Sequence, residues 1–276
     1  MICVENVYEE IVEEWKARDP YLQDIEGFEK FLEDKLGEKY SDKFFEFRCD
    51  AKKLKNVLEI IKEVGEIKLI CSDKYVRLYG LDASYVWLVD LYLYPPFFTV
   101  LEGAGSVDLD VKELYQCLKN FKKPVDVTVR GYLDKLKILF DDVGVELDVR
   151  DEREVKEFYM EYPFGVKAEV NIHKIYDFIK FIDKKYEHVK FVSKDGVLKM
   201  VCENDTKSAS CFLAECLAEE EVMVGLEYLT PIVKGLCKCL DEVTIECKTE
   251  KPLIIRGDGD YWHIDVYIAP RIEGEG

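Results

Sequence analysis

The sequence has few of the features that mark an exported, membrane-bound or metal-binding protein. It contains three histidines, and none stands in a spacing such as H-E-x-x-H that would hold a metal ion. No run of about 18 apolar residues is present, and the first residues are acidic where a secretory leader would be basic and then apolar. We therefore expect a soluble, intracellular protein without a metal centre.

Motifs for catalysis and cofactor binding are also missing. The glycines of EGAGS (102–106) lack the G-K-S/T that completes a phosphate loop, and the Asp-Gly pairs of RGDGDYW (256–262) are typical of a hairpin turn. Cys237 and Cys239 lie two positions apart on a predicted helix, so their side chains point away from each other. We predict no enzyme activity and no cofactor. An active site built from scattered carboxylates is the alternative.

Apolar residues and cysteines are plentiful. With 276 residues, of which 48% are hydrophobic, the chain can form one large domain or two ordinary ones. Its ten cysteines are scattered through the chain, many within apolar strand and helix patterns, and no export signal is recognisable. We therefore expect reduced core thiols and no disulfide framework.

The charge is large, negative and unevenly distributed. The net charge of -18 argues against a nucleic-acid partner unless the basic residues are gathered on one surface. Periodicity predicts amphipathic helices at about 51–64, 110–123, 172–187 and 226–241. These helices sum to about +5, and the rest of the chain to about -23. A face reserved for an anion explains this division, although lysines that solvate any helix would give the same count.

One plan of strands and helices occurs twice. FFEFRCD leads into AKKLKNVLEIIKEV, and later GVKAEV leads into NIHKIYDFIKFIDKKY, with Leu54 matching Ile175 and Leu58 matching Ile179. The charged stretch between the copies, closed by Pro163, reads as a connector. The prediction is therefore an α+β chain with two similar domains. Its parts are an acidic N-terminal extension at 1–43, a first domain at 44–148, a connector at 149–163 and a second domain at 164–274.

Two stretches carry a family resemblance. GLDASYVWLVDLYL (80–93) and PLIIRGDGDYWHIDVYIAPRIEGEG (252–276), together with the duplicated plan, resemble the DNA sliding clamps of archaea and eukaryotes, the proliferating cell nuclear antigen family. The resemblance covers about 44–274. It implies a head-to-tail ring trimer of identical or related subunits, with helices lining a central hole and antiparallel sheets outside. Such a ring encircles double-stranded DNA without sequence preference, as a processivity factor in DNA replication and repair.

The resemblance also implies which residues meet DNA and which meet partners. The hole-facing lysines would be Lys52, Lys53, Lys55, Lys62, Lys119, Lys122, Lys123, Lys174, Lys180, Lys184, Lys185, Lys234 and Lys238. DNA polymerase, clamp loader, flap endonuclease and ligase would dock through short peptides that end in paired aromatic residues. The pocket for these peptides would be lined by Leu81, Tyr85, Val86, Leu88, Val149, Pro252, Tyr267, Ala269 and Pro270, under a roof that includes Val155 or Phe158.

The subunit contact is expected at two edge strands. We predict that a strand near 134–142 pairs with a strand near 208–216 of the next subunit, a heterologous contact that closes into a ring. Alternating apolar side chains would be buried at this junction. The predicted interface residues are Leu136, Ile138, Phe140, Ser210 and Phe212.

The N-terminal extension departs from the family pattern. Residues 1–43 are acidic and contain two predicted short helices, at about 4–17 and 26–37. The extension keeps an alternative function open, a clamp-like regulator that inhibits or specialises a separate clamp. The expected location is the cytoplasm, in association with the nucleoid, for an archaeal protein and the nucleus for a eukaryotic one.

Overall fold

The computed structural model describes residue 13 and residues 43–121, 125–140, 143–150, 165–182, 186–203 and 207–271. Apart from residue 13, the helices predicted at 4–17 and 26–37 lie outside the described residues, and so do connector residues 151–163. Within the residues that the structure describes, no helix is long and apolar enough to cross a membrane.

Two repeats of strands and helices follow one another. The first contains the strands β1 (Phe45–Asp50), β2 (Glu66–Cys71), β3 (Val76–Leu81), β4 (Trp87–Leu93), β5 (Phe98–Gly103), β6 (Gly105–Asp110), β7 (Asp126–Gly131), β8 (Lys135–Phe140) and β9 (Val143–Asp148), with the helices α1 (Ala51–Ile61) and α2 (Val111–Leu118) and a 3-10 turn at Pro95–Phe97. The second contains β10 (Val166–Asn171), β11 (His188–Lys194), β12 (Val197–Glu203), β13 (Ser208–Glu215), β14 (Glu220–Gly225), β15 (Glu242–Cys247), β16 (Leu253–Gly259) and β17 (Trp262–Ile268), with α3 (Ile172–Phe181) and α4 (Leu226–Leu236).

Each helix starts directly after a strand, and polar caps set three of the starts. The Asp50 carboxylate accepts a hydrogen bond of 2.8 Å from the Lys53 amide at the start of α1. Asp110 caps α2 and Asn171 caps α3 in the same way. Such caps satisfy amides that a helix start would otherwise leave unpaired. All four predicted helices are confirmed, although each ends earlier than the periodicity indicated.

The strands form three antiparallel sheets. A five-stranded sheet has the order β5-β1-β7-β8-β9, and a four-stranded sheet has the order β13-β12-β11-β14. Between them an eight-stranded sheet, β10-β15-β16-β17-β4-β3-β2-β6, takes half of its strands from each repeat. The halves join where β17 pairs with β4, from Trp262 opposite Leu93 to Ile268 opposite Trp87. The repeats therefore share one continuous sheet.

The four helices pack side by side in the order α2, α1, α4, α3. Their apolar faces are buried, with Leu54 and Leu58 in the first repeat and Ile175 and Leu229 in the second all at most 1% exposed. This confirms the duplicated apolar pattern. The row leaves the opposite helix faces, which carry the lysines, at the surface.

The predicted position of one edge strand was wrong. Leu136, Ile138 and Phe140 lie in β8, which pairs with β7 on one side and with β9 on the other. Their side chains are at most 5% exposed because they belong to the core of their own repeat. On this side the five-stranded sheet ends at β9, so these three residues do not lie at a free edge.

The nine described cysteines are all free. Burial raises the pKa of Cys71 and Cys247 to about 12, with Glu220 also raising that of Cys247. These thiols are protonated, unreactive core groups at neutral pH. Four of the nine described cysteines are buried as expected of core thiols, and the other five are half-buried; the buried ones are Cys49, Cys71, Cys202 and Cys247.

Candidate functional site

The lysine-bearing face of the helix row is the first candidate surface. Seven of the predicted lysines are exposed on or just after the helices, namely Lys52, Lys53, Lys119, Lys174, Lys180, Lys234 and Lys238. Lys55 and Lys62 are half-buried. Lys122, Lys123, Lys184 and Lys185 lie outside the described residues.

An acidic residue sits among these lysines where α1 meets α4. The Glu59 carboxylate accepts a hydrogen bond from Lys238, and it lies 3.9 Å from the Lys62 ammonium. Burial alone would raise the pKa of Glu59, but the hydrogen bond from Lys238 and the charges of both lysines hold it below its ordinary value. Glu59 therefore ties the two repeats together and partly offsets two lysines of this face.

Other lysines of the face are positioned by rings and a carbonyl group. The Lys180 ammonium lies 3.8 Å from the centroid of the Tyr176 ring, and that of Lys62 lies 4.9 Å from the centroid of Tyr115. Lys55 donates a hydrogen bond of 3.0 Å to the carbonyl oxygen of Phe121. These contacts limit the freedom of the side chains but leave their charge in place.

The second candidate surface is a shallow apolar pocket on the shared sheet. Beneath it lies a small buried cluster, separate from the main core, formed by Tyr79, Leu88, Ile254 and Tyr267. The volume of about 180 Å³ is below the roughly 300–1,000 Å³ of a small-molecule site, so it suits one or two side chains of a peptide. We call this the outer pocket; its lining is Leu81, Tyr85, Val86, Leu88, Pro252, Tyr267 and Ala269.

The structure thus brings together seven of the nine residues predicted for the pocket. Pro270 lines an adjoining cavity. Val149 packs against the main core, and its amide donates a hydrogen bond of 3.1 Å to the carbonyl of Asp134. Val155 and Phe158, the predicted roof, fall outside the described residues.

A tight turn before β4 forms one wall of the outer pocket. The Asp82 carboxylate accepts hydrogen bonds from the amides of Val86 and Trp87, at 2.7 and 2.8 Å. Tyr85, at the top of the turn, has a φ of 58° and its side chain is 78% exposed. The amide of Ala269 donates to the carbonyl of Val86 at 2.6 Å, so the turn and the chain after β17 hold each other in place.

The floor of the outer pocket includes a protonated phenol. The Tyr267 hydroxyl lies 3.5 Å from the Asp265 carboxylate. Burial, followed by the negative charge of Asp265, raises the pKa of Tyr267 well above its ordinary value. The ring therefore offers an apolar surface, while its hydroxyl is turned towards a carboxylate.

A row of charged side chains that sequence reasoning missed crosses the neighbouring strands. The Asp265 carboxylate accepts from Arg256 at 2.6 Å and lies 3.0 Å from His263, and Arg256 also donates to Glu246 at 3.1 Å. Hydrogen bonds to Asp265 and then to Asp258 raise the pKa of His263 to about 9. Alternation in WHIDVYI was the available signal, since it places these polar residues on one face.

The third candidate surface consists of two of the sheet edges, those at β9 and β13. Among the described residues, β9 has a strand partner on one side only, and the same is true of β13. Apolar side chains are exposed near both edges: Val143 on β9 is 62% exposed, Phe212 on β13 is 47% exposed, and Phe181 at the end of α3 is 80% exposed. The predicted Ser210 and Phe212 do lie on an edge strand. Exposed strand edges with apolar neighbours are typical of association surfaces.

The described part of the chain shows no cluster of three or more His, Cys, Asp or Glu side chains that could hold a metal ion.

Comparison with solved structures identifies the class of fold. The structure of the A. fulgidus PCNA bound to the C-terminal region of FEN-1 matches with a TM-score of 0.74 at 20% identity, over 84% of this chain and 100% of that one. The PCNA2-PCNA3 complex of Sulfolobus tokodaii matches with a TM-score of 0.72 at 22% identity, over 83% and 100%. The chain therefore has the fold of the PCNA sliding clamps, and the predicted fold class is confirmed.

Comparison with curated sequences points to the same proteins. The chain is 26% identical over 243 residues to the DNA polymerase sliding clamp of Pyrococcus abyssi. The aligned residues make up 81% of this chain and 96% of the relative. No family model matches the sequence. The resemblance to archaeal and eukaryotic sliding clamps is therefore confirmed by fold and by sequence.

Proposed function

We propose that this chain is a subunit of a DNA sliding clamp, a ring that encircles duplex DNA and holds DNA polymerase and other replication and repair enzymes on it. The observation that carries the proposal is the row of four helices with its exposed lysines, backed by a sheet that is continuous across both repeats. The overall charge of -18 would repel DNA from every other surface. The basic face is the part of the molecule that fits a duplex.

The internal symmetry of the chain supports closure into a ring. β17 is the last strand of the second repeat and corresponds to β9, the last strand of the first. In the same way, β13 of the second repeat corresponds to β4 of the first. Inside the chain β17 pairs with β4. An equivalent pairing of β9 with β13 of a neighbouring subunit is a heterologous contact, and we take three subunits to close the ring, as in the family.

A pair of corresponding helix residues supports the same contact. Ile60 of α1 is 1% exposed because it packs against α4 inside the chain. Phe181 of α3 has the corresponding place in the second repeat and is 80% exposed. In a ring, α3 would pack against α2 of the next subunit and cover Phe181. We expect this contact at the subunit interface, in place of the one first predicted through Leu136, Ile138 and Phe140.

Enclosure removes the need for tight or sequence-specific DNA binding. Lysines that contact only phosphates carry no sequence information, so the ring can slide while it remains linked to the duplex. The outer pocket is our proposed docking site for partner peptides that end in paired aromatic residues, because its apolar lining can bury two rings. The chain would act as a non-enzymatic platform, at the nucleoid of an archaeal cell or in the nucleus of a eukaryotic one.

Retention on circular DNA tests the proposal. The chain, assembled by its clamp loader on a nicked circular duplex, should stay bound through gel filtration and should be released when the circle is cut with a restriction enzyme. Equal retention on circular and cut DNA would rule out enclosure. A chain that stays monomeric at high concentration, and that lowers the retention of a separate clamp, would instead establish the regulatory function.

A further inference from the structure

Three cavities follow one another at the junction of the repeats, and we call their succession the path. The first is the outer pocket. The second, which we call the lateral groove, has a volume of about 730 Å³, and its lining includes Val86, Glu187, Glu227, Tyr228, Ala269 and Arg271. The third, the inner cleft, has a volume of about 470 Å³, and its lining includes Lys62, Glu63, Glu227, Tyr228, Lys234 and Gly235.

Shared lining residues show that neighbouring cavities along the path adjoin each other. Val86 and Ala269 line both the outer pocket and the lateral groove. Glu227 and Tyr228 line both the lateral groove and the inner cleft. The path therefore leads from the outer face of the shared sheet, past Tyr228, to the ends of α1 and α4.

The walls are held by hydrogen bonds and ring contacts. The Tyr228 ring meets Trp87 edge-on, with centroids 6.0 Å apart, and its hydroxyl lies 3.3 Å from that of Ser84. The amide of Arg271 donates to the carbonyl of Met223 at 2.8 Å, which fixes the chain after β17 along the groove. A groove that is formed before binding costs its occupant less ordering of the protein.

The far end of the path lies on the proposed DNA-facing surface. Lys62 and Lys234, two of the predicted hole-facing lysines, line the inner cleft together with Gly235. An occupant of the whole path would thus contact the outer pocket at one end and the lysine-bearing helix face at the other.

The charges along the path indicate the chemistry of the occupant. Glu227 is exposed where the lateral groove meets the inner cleft, and Glu63 is exposed further along. In the lateral groove the Arg271 guanidinium lies 3.5 Å from Glu187, so that pair offsets its own charge. A basic side chain opposite Glu227 would complete an ion pair beside the Tyr228 ring.

We propose that the segment of a partner protein that precedes its aromatic pair lies along this path as an extended chain, with a lysine or arginine at Glu227 and its far end at the inner cleft. The inference rests on the proposed docking of aromatic-ended peptides in the outer pocket. It adds a second, electrostatic contact that selects partners with basic upstream segments and brings those segments close to DNA.

Calorimetric titration with two peptides tests the inference. A short peptide carries the aromatic pair alone, and a long peptide adds about eight upstream residues, roughly 25 Å when extended, with lysine at successive positions in separate versions. The best long peptide should bind about tenfold tighter than the short one. Glu227→Lys should abolish this gain without changing the affinity of the short peptide, and a long peptide with glutamate in place of that lysine should recover the gain on the variant. Glu169→Lys, at an exposed site on β10, is the control of equal charge change.

The possible results are distinct. No gain from the upstream residues, or a gain that Glu227→Lys and Glu169→Lys change equally, would overturn the path as a binding site and leave the outer pocket intact. Failure of the short peptide to bind would overturn the outer pocket itself, and this inference with it.

Discussion

Gly235 in α4 faces the backbone of Ile60 in α1 so closely that a β-carbon on Gly235 would lie 2.5 Å from the Ile60 Cα. The two helices come from different repeats, so this contact sets the distance between the repeats on the helix side. Glu59 and Lys238 form their ion pair beside it. The junction has backbone-to-backbone packing at its centre and a salt bridge at its rim.

Replacing Gly235 by alanine should push α1 and α4 apart. Because backbone atoms of Ile60 have no room to yield, we expect a loss of about 1–3 kcal/mol in the free energy of unfolding, as in overpacked cores. For a chain of this size that is a fall in Tm of several degrees. Gly144→Ala, where the nearest atom is the flexible end of Leu139 at 3.2 Å, should change Tm much less. Equal Tm values in calorimetry would contradict the close packing.

Reversal of charge on the helix face should weaken DNA retention. In the variant Lys53→Glu, Lys119→Glu, Lys234→Glu, each new carboxylate would face phosphates, so the ring should leave circular DNA faster and its affinity should depend less steeply on salt. Lys199→Glu, Lys207→Glu, Lys251→Glu makes the same change of charge at exposed sites away from the helices. If both triple variants lose retention equally, the effect is due to net charge and the helix face is not special.

The proposed interface residue Phe181 and the originally predicted Ile138 should respond in opposite ways to replacement by aspartate. Phe181→Asp should convert the assembly to folded monomers, since Phe181 is 80% exposed in the single chain and contributes little to its core. Ile138→Asp should instead unfold the chain, because a charge would be buried in β8. Light scattering gives the mass and circular dichroism the folded fraction. A folded trimer with aspartate at 181 would exclude α3 from the interface.

Truncation at the outer pocket should abolish peptide binding. Removing an anchor of such a pocket costs about 2 kcal/mol or more, some thirtyfold in affinity, so Tyr267→Ala with Leu81→Ala should take a micromolar peptide beyond detection. Tyr267 is buried, and the double variant could lose stability.

Tyr85→Ala removes an exposed ring at the mouth of the pocket and should weaken binding with no change in Tm. Tyr261→Ala, an exposed tyrosine outside the pocket lining, is the matched control. Unchanged affinity in both pocket variants would place the peptide elsewhere.

The charged row around His263 should make stability depend on pH. The pKa of His263 is raised to about 9 in the folded chain, above the ordinary value near 6.5. Its stabilising effect is therefore complete below pH 6.5 and is lost as the pH rises through 9. His263→Gln should lower the free energy of unfolding at pH 6 and have little effect at pH 10. Urea titrations at both pH values measure the difference in the free energy of unfolding between His263→Gln and the unchanged chain. The same difference at both pH values would show that the His263 imidazole acts by packing and not by its charge.

Local features of the sequence were enough to predict the repeats, the helices and the fold class. Apolar positions such as Leu54 and Leu58, or Ile175, recur every three to four residues, and a single amphipathic helix satisfies that pattern without reference to the rest of the chain. The outer pocket was predicted from the resemblance of two separated stretches, and β4 and β17 bring those stretches together as neighbouring strands. Val149 was wrongly predicted to line the outer pocket, because its neighbours in space are set by where the chain runs after β9.

Tertiary structure alone decided which strand is an edge and where the helices touch. β8 and β9 both have alternating apolar residues, and such a pattern shows which face is buried but not whether a strand has one neighbour or two. The number of neighbours follows from the order of strands in the sheet, which is set by contacts distant in sequence. The same holds for Gly235 against Ile60 and for the path past Tyr228, since each needs both repeats to be packed before the contact exists.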